Sequence, residues 1–258
     1  MRVLAIVPSF NEERALPGVL AELSALGIDA LVIDDGSTDR TSEVARSNGA
    51  RVVRLCTNLG IGGAVQTGLR AAFEEKYDCA VQVDGDGQHD PSQVPALLAR
   101  ISEADLIVGS RFLEGSGFQS TPMRRAGKGW LGLVLRVFAG VRVTDPTSGF
   151  RAFGPRAIAL FQRTFPYDYP EPESLSIARA AGLRVLEVPV RMRERQGGSS
   201  SIRGLVPGWY MLKVTAAVIL DLFRARRELP WKSDAIGSLP SSASPSRPAS
   251  SASSRGST

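Results

Sequence analysis

The sequence contains very little histidine and cysteine. Its single histidine, His89, excludes a zinc site built on paired histidines and leaves a Ser-His-Asp triad possible only through His89 itself. The two cysteines, Cys56 and Cys79, are too few for a disulfide framework and lack the spacing of metal ligands. We therefore expect a protein of a reducing compartment, the cytoplasm.

Long apolar runs are also scarce. The most apolar segment, Trp209–Phe223, is interrupted by Lys213 and Asp221 and is shorter than the ~20 apolar residues that cross a bilayer. An amphipathic helix on an anionic membrane surface and a buried core helix both fit this segment. The first residues resemble a strand and lack a leader's cleavage site, so no signal peptide is expected.

The charge of the chain is unevenly distributed. Residues 1–110 carry 9 basic and 16 acidic residues, whereas residues 111–258 carry 22 basic and 10 acidic residues. An asymmetry of this kind indicates an anionic partner, either a phosphorylated ligand or a membrane surface. The acidic first half argues against nucleic acid.

Short apolar runs alternate with segments of helical period in the first half. The runs lie at Val3–Val7, Ala30–Ile33, Val52–Val53, Cys79–Val83 and Leu106–Val108. Helices are predicted between them at Glu12–Ala25, Gly62–Phe73 and Pro91–Ile101. A further helix is predicted to begin near Ser37 and Thr38, which are good N-cap residues. Strands that are apolar on both faces, alternating with helices, predict an α/β fold with a mostly parallel sheet.

The second half is organised differently. Helices are expected at Lys128–Ala139, Pro155–Phe161 and Glu173–Ala181, with a strand at Val185–Val190 and a basic Gly/Ser loop at 191–204. We predict one catalytic domain over 1–204, divided into halves at 110, and a helix over 205–228. The segment 229–258 is predicted to be disordered because 10 of its last 22 residues are serine.

Two predicted strands end in acidic turns. Ala30–Ile33 leads into Asp34-Asp35-Gly36, and Cys79–Val83 leads into Asp84-Gly85-Asp86-Gly87-Gln88. Ligands of open α/β sheets bind at the carboxyl ends of the strands, and hard oxygen ligands suit Mg²⁺ or Mn²⁺. Asp and Gly are also ordinary turn residues, but two such turns at successive strand ends favour a site.

These turns belong to an ordered set of motifs. The set consists of Val7-Pro8-Ser9-Phe10-Asn11-Glu12, Ile33-Asp34-Asp35-Gly36-Ser37, Asp84-Gly85-Asp86-Gly87-Gln88, Gly109-Ser110-Arg111, Asp145-Pro146-Thr147-Ser148-Gly149-Phe150-Arg151 and Arg195-x-x-Gly198-x-Ser200. The set resembles the family 2 glycosyltransferases with the GT-A fold, and within them the dolichyl- or polyprenyl-phosphate sugar synthases. The likeness extends over residues 3–205.

The resemblance implies a nucleotide-sugar donor, UDP- or GDP-linked, and a divalent cation. It places the donor base and ribose at Pro8, Phe10, Glu12 and Asp35, and the donor also at Asp84 and Gly85. Asp84, Asp86 and Gln88 would hold Mg²⁺ or Mn²⁺ on the diphosphate, and Asp86 is the first predicted catalytic residue. Arg111, Arg124 and Arg195 would meet phosphate, which guanidinium groups bind in bidentate fashion.

The expected acceptor is a polyprenyl phosphate at the cytoplasmic membrane face. An ionised phosphate needs little help from a base, whereas a hydroxyl acceptor needs a carboxylate. Asp145, the second predicted catalytic residue, is the favoured base, ahead of Glu171 and Glu173. For Arg191 and Arg193, a solvated basic surface and a phosphate contact fit equally well.

Other activities remain as alternatives. The same donor chemistry could serve a glycolipid, a polysaccharide or a small hydroxylated acceptor. A sugar nucleotidyltransferase fits less well, because Pro8-Ser9-Phe10-Asn11-Glu12 stands where that class carries a Gly-rich loop ending in Arg and Lys. A dinucleotide fingerprint at Gly60 and Gly62 lacks its third glycine and does not follow the first strand.

Overall fold

The structure, a computed structural model, describes residues 1–113, 129–193 and 215–216. Several sequence predictions lie outside these residues. They are Arg124, Arg195, the loop beyond residue 193, nearly all of the predicted helix 205–228, and the tail 229–258.

A seven-stranded sheet forms the centre of the described fold. Its strand order is β3-β2-β1-β4-β6-β5-β7. All neighbours pair in parallel except β6, which runs antiparallel to both β4 and β5. The strands are β1 Val3–Ser9, β2 Asp29–Asp34, β3 Arg51–Arg54, β4 Cys79–Gln82, β5 Leu106–Ser110, β6 Arg151–Phe153 and β7 Val185–Pro189. The predicted α/β class with a mostly parallel sheet is confirmed.

Helices connect the strands. They are α1 Leu16–Ala25, α2 Thr41–Ser47, α3 Gly60–Glu74, α4 Val94–Leu98, α5 Pro155–Phe161 and α6 Pro170–Ala180. A 3-10 turn, Pro91–Gln93, precedes α4, and residues 129–139 are helical with a final π-helical turn at Leu135–Ala139.

Several predicted helix starts are wrong. Helix α1 begins at Leu16, four residues after the predicted Glu12, whose N–H donates to the Thr41 hydroxyl. Helix α2 begins at Thr41 and not after Ser37, because Ser37 is used in the loop: its hydroxyl accepts the Asn11 N–H and its own N–H donates to Asp34. Helix α6 begins at Pro170, three residues before the predicted Glu173. Proline fits the first helical turn because its fixed φ is already helical and its missing N–H has no partner to lose there.

Both faces of the sheet are buried. Successive side chains of a strand point to opposite faces, so Leu4 and Ile6 of β1 pack with α3, α5, α6 and the helix 129–139. Ala5 and Val7 of the same strand pack on the other face with α1, α2 and α4. This three-layer arrangement leaves the carboxyl ends of the strands as the place where polar loops meet.

Helix α3 lies directly against β1, and Gly68 permits this contact. A Cβ at Gly68 would lie 2.3 Å from the Ile6 Cγ2 atom, whereas a Cβ at Gly18 in α1 would meet nothing within 4 Å. We therefore expect Gly68→Ala to lower the free energy of unfolding by about 1–3 kcal/mol through overpacking. Gly18→Ala is the matched control and should raise it by roughly 0.5–1 kcal/mol, because alanine favours the helix.

Urea unfolding of the two variants beside the unmodified chain measures this difference. Equal stability of Gly68→Ala and Gly18→Ala would contradict the close packing of α3 on β1.

Candidate active site

Hydrogen bonds join the loops that follow β1, β2 and β4. The Asp35 N–H donates to the Ser9 carbonyl (2.9 Å), and the Asn11 N–H donates to the Ser37 hydroxyl (3.0 Å). On the other side of β1, the Gly85 N–H donates to the Pro8 carbonyl (3.2 Å). The first three predicted motifs therefore form one continuous surface at the carboxyl edge of the sheet.

The two neighbouring aspartates after β2 have different surroundings. Asp34 accepts the Ser37 N–H (2.8 Å) and the Ser42 hydroxyl. Burial acts to raise the pKa of Asp34, but these hydrogen bonds together hold it below its usual value. Asp34 therefore stabilises the loop between β2 and α2 through hydrogen bonds.

Asp35, in the loop after β2, contacts the N-terminal end of α3. Its two carboxylate oxygens accept the N–H groups of Leu59 (2.7 Å) and Gly60 (2.9 Å), and burial raises its pKa despite these bonds.

The other predicted base and ribose contacts differ in exposure. Phe10 is 46% exposed and presents its aromatic ring to solvent. Glu12 is buried, and its N–H donates to the Thr41 hydroxyl (2.9 Å).

The acidic turn, residues 84–89, follows β4. Gly85 has no space for a side chain, because a Cβ there would lie 2.3 Å from the Ser9 Oγ atom. Asp86 is buried and accepts the Gln88 N–H (2.9 Å), while Asp84 accepts from the Gln82 amide (3.0 Å). These contacts fix the backbone path that carries Asp84, Asp86 and Gln88.

The side chains of this turn offer the oxygen ligands that Mg²⁺ and Mn²⁺ prefer. Among the residues that the structure describes, no group of three or more His, Cys, Asp or Glu side chains is arranged to hold a metal. The metal role predicted for Asp84, Asp86 and Gln88 therefore requires further ligands, which Mg²⁺ commonly takes from water and a diphosphate.

His89 supports the turn from behind. Its Nδ1 accepts the Asp84 N–H (3.0 Å), so the proton resides on Nε2, which lies 3.6 Å from the Asp84 carboxylate. The ring stacks on Phe150 with a centroid separation of 5.0 Å. Burial lowers the pKa of His89 to about 4, Asp86 opposing and Arg111 adding to the shift, so the imidazole is neutral near pH 7.

Arg111 and Asp145 form a buried ion pair. The Arg111 Nε and Nη2 atoms donate to the two Asp145 oxygens at 2.6 and 2.8 Å, and Asp145 is completely buried. Both Asp145 oxygens accept from the Arg111 guanidinium, so Asp145 orients this cation. The base role of Asp145 stays a prediction from the sequence.

Glu171, a further base candidate from the sequence, lines a tight crevice with no room for a water molecule. The other lining residues are Ile61, Val65, Gln82, Arg151, Phe165 and Pro170. Burial raises the pKa of Glu171, Arg151 opposes this, and the charge of Asp84 adds to it. Glu173 is also buried in the first turn of α6.

Sequence reasoning assigned no role to two residues that support the site, although one of them, Arg151, ends a quoted motif. Glu187 on β7 accepts the N–H groups of Thr144 (2.7 Å) and Asp145 (2.9 Å), and so fixes the segment that carries Asp145. Arg151 is buried and donates to the carbonyls of Ser148 (2.7 Å) and Glu171 (2.8 Å). The available signal for Arg151 was a charged residue in the otherwise apolar strand Arg151–Phe153. The sequence holds no comparable signal for Glu187.

The buried hydroxyl of Ser148 lies in the same segment. Among the described residues it is a buried side-chain oxygen with no hydrogen-bond partner. Such a group is satisfied by a water or a ligand in most proteins.

Comparison with known proteins identifies the family. Residues 4–159 match the family profile described as glycosyl transferase family 2. The chain belongs to this family. It is a glycosyltransferase, and its motifs resemble those of the polyprenyl-phosphate sugar synthases, as the sequence predicted.

Two curated relatives are similar over most of their length. The chain is 37% identical over 227 residues to an undecaprenyl-phosphate mannosyltransferase of Micrococcus luteus, covering 83% of this chain and 93% of that protein. It is 30% identical over 212 residues to a UDP-N-acetylglucosamine–dolichyl-phosphate N-acetylglucosaminyltransferase of Methanococcus voltae, covering 73% and 84% respectively.

A solved structure shares the fold. It is glucosyl-3-phosphoglycerate synthase of Mycobacterium tuberculosis in complex with Mn²⁺, UDP-glucose and phosphoglyceric acid. The TM-score is 0.64 at 23% identity, with 88% of this chain and 80% of that chain covered.

The neutral, buried state of His89 predicts a pH dependence of stability. The unfolded chain protonates histidine near pH 6.5, but the folded chain does so only near pH 4, so the folded state loses stability as the pH falls through this interval. The loss should reach up to about 3 kcal/mol. His89→Asn, whose side-chain oxygen can accept the Asp84 N–H, should not show it.

The free energy of unfolding of both proteins is measured by urea unfolding at a series of pH values between 7 and 4.5, with about pH 7 as the reference. We expect the unmodified chain to lose its advantage over His89→Asn as the pH falls. A constant difference between the two proteins would contradict a neutral buried imidazole.

Proposed function

We propose that this glycosyltransferase moves a sugar, with inversion, from a nucleoside diphosphate donor to a polyprenyl phosphate at the cytoplasmic face of the membrane. The observation that carries the donor half is the direct joining of the loops after β1, β2 and β4. These bonds join the loops that carry Phe10, Glu12 and Asp35, the proposed base and ribose contacts, to the turn that carries Asp84 and Asp86.

We propose that Asp84, Asp86 and Gln88 hold Mg²⁺ or Mn²⁺ against the donor diphosphate. Their oxygens suit such an ion, and the ion would offset the charge that develops on the leaving diphosphate. The structural neighbour from M. tuberculosis was solved with Mn²⁺ and UDP-glucose, which supports a divalent ion but does not choose between Mg²⁺ and Mn²⁺.

The residues around the acidic turn have separate roles in this proposal. Arg111, aligned by Asp145, is a cation for phosphate at the end of β5. His89 keeps the acidic turn in place through the Asp84 N–H. Arg124 and Arg195, outside the described residues, remain predicted phosphate contacts.

The acceptor half of the proposal has two supports. The names of both curated relatives specify a polyprenyl-type phosphate acceptor. The engagement of Asp145 with Arg111 also suits a nucleophile that is already ionised, because such an acceptor needs no strong base. Glu171 would serve as the base if the acceptor were instead a hydroxyl of a glycolipid, polysaccharide or small molecule.

An exposed apolar face supports a location at the membrane. Trp130, Leu133 and Val137 lie at helical spacing on the helix 129–139 and are 52%, 51% and 65% exposed. The Trp130 indole N–H donates to the hydroxyl of Thr215 (3.1 Å), one of the two described residues of the predicted helix 205–228. In the described part of the chain, no helix has the length and apolar character of a bilayer crossing.

The acceptor is tested by transfer of radiolabel from UDP- and GDP-sugars, with and without polyprenyl phosphate. We expect label to enter the organic phase only when the lipid phosphate is present. Label that stays in the aqueous phase with every donor would contradict the lipid acceptor and favour a soluble one.

The metal role is tested by Asp86→Asn. We expect this variant to lose transfer by at least about 100-fold, and excess chelator to do the same to the unmodified chain, because both remove charge from the diphosphate site. Asp78→Asn is the matched control, since Asp78 is exposed and lies at the opposite end of β4. Full transfer by Asp86→Asn in excess chelator would refute the metal role.

The membrane role is tested by flotation with anionic vesicles. We expect the double variant Leu133→Ser with Val137→Ser to float less than the unmodified chain, because it loses apolar surface at the bilayer. Phe73→Ser is the control, since Phe73 is also exposed but lies on α3. Equal flotation of all three proteins would show that the apolar face does not meet lipid.

A further inference from the structure

The loop that follows β1 contains a residue with an unusual backbone conformation. Among the residues that the structure describes, Asn11 (φ +58°) and Lys76 (φ +57°) are the non-glycine residues with a positive φ. Few L residues adopt this left-handed region, and asparagine does so more readily than most. Asn11 lies between Phe10 and Glu12, two of the proposed base and ribose contacts.

Both the backbone and the side chain of Asn11 contact the loop after β2. The Asn11 N–H donates to the Ser37 hydroxyl (3.0 Å). The side-chain oxygen of Asn11 accepts the N–H (2.8 Å) and the hydroxyl (3.2 Å) of Thr38. One residue of the loop after β1 therefore binds two successive residues of the loop that also carries Asp35.

The next two residues continue this contact. The Glu12 N–H donates to the Thr41 hydroxyl (2.9 Å), and the Glu13 N–H donates to the Asp39 carboxylate (3.2 Å). Three consecutive N–H groups thus donate to side chains of residues 37–41. Because φ and ψ are the soft torsions of the backbone, the φ of Asn11 sets the angle between the chain that carries Phe10 and the chain that reaches these acceptors.

Phe10 has more need of a fixed backbone than its buried neighbour Glu12. Its side chain is 46% exposed, so packing against the protein covers only part of the ring. A nucleotide base stacks on the flat face of an aromatic ring, so the direction of that face decides whether the base can bind.

We propose that Asn11 is a positioning residue for the donor base. Its left-handed backbone and its two bonds to Thr38 set the direction of Phe10 and so present the ring to the base. The acidic turn is joined to β1 through the Gly85 N–H and the Pro8 carbonyl, which precedes Asn11, so we expect the diphosphate side of the site to stay intact without Asn11. This inference rests on the proposed function, in which Phe10 meets the base.

The kinetic test uses the UDP- or GDP-sugar that the unmodified chain transfers to polyprenyl phosphate. Asn11→Ala loses the bonds to Thr38 and disfavours the left-handed backbone, so its donor KM should rise by about tenfold, the scale of effects from small misplacements of binding groups. Its kcat at saturating donor with Mn²⁺ should stay within about twofold, because contacts to the base are the same in the ground state and the transition state. Asn11→Gly should have an intermediate donor KM, because glycine keeps the left-handed backbone but has no side-chain oxygen.

Lys76→Ala is the matched control. It places alanine at a similar positive φ, but Lys76 is exposed and precedes β4, at the opposite edge of the sheet. Its donor KM should equal that of the unmodified chain. An equal donor KM in Asn11→Ala and Lys76→Ala would overturn the inference. So would a kcat of Asn11→Ala that falls by the same factor as its KM rises, since that result describes a general loss of structure.

Hydrogen exchange separates this inference from the proposed function. Asn11→Ala should lose amide protection at residues 11–13 and at Thr38, with the rest of the sheet unchanged, whereas Lys76→Ala should keep it. Should the unmodified chain bind neither UDP nor GDP with Mn²⁺, the proposed donor falls, and the exchange result alone decides whether Asn11 holds the two loops together. Unchanged protection in Asn11→Ala would refute that role.

Discussion

The parallel pairing of β1 with both β2 and β4 is the constraint on which the site depends. In the register of these pairs, Ser9 lies beside Asp34, and Ile6 lies beside Gln82. The chain segments that follow therefore emerge at one edge of the sheet, although they are separated by up to about 75 positions in sequence. The backbone bonds between these three loops, Pro8–Gly85 and Ser9–Asp35, are built on this shared edge.

The carboxylates at this edge have separate tasks. Asp34, Asp145 and Glu187 accept hydrogen bonds from the protein and hold loops or cations in place. Asp84 and Asp86 sit on a turn that Gly85 and His89 shape, and they have the chemistry to meet a divalent ion. The acidic turn has its own supports, the Pro8–Gly85 backbone bond and the His89 contact with the Asp84 N–H.

Sequence patterns predicted the α/β class, the acidic turns and the family, because each is written in local order: apolar period, turn residues and motif succession. They did not predict the true start of α2. Ser37 is a common N-cap residue, but here its hydroxyl accepts the N–H of Asn11 and so does not cap the helix. Nor did they show that Asp145 is held by Arg111, which is 34 positions away, or that Arg193 meets Glu22, which is 171 positions away. Partners so distant are decided by the packing of the sheet and not by local spacing.

We propose that this edge of the sheet is a metal-dependent nucleotide site. It is tested most directly by the thermal unfolding temperature of the unmodified chain with UDP or GDP, each with and without Mn²⁺. We expect a clear rise with one of the nucleotides, and only when Mn²⁺ is also present, because ligands that bind the folded state alone stabilise it. An equal rise without the metal, or no rise with either nucleotide in its presence, would show that this edge is not such a site.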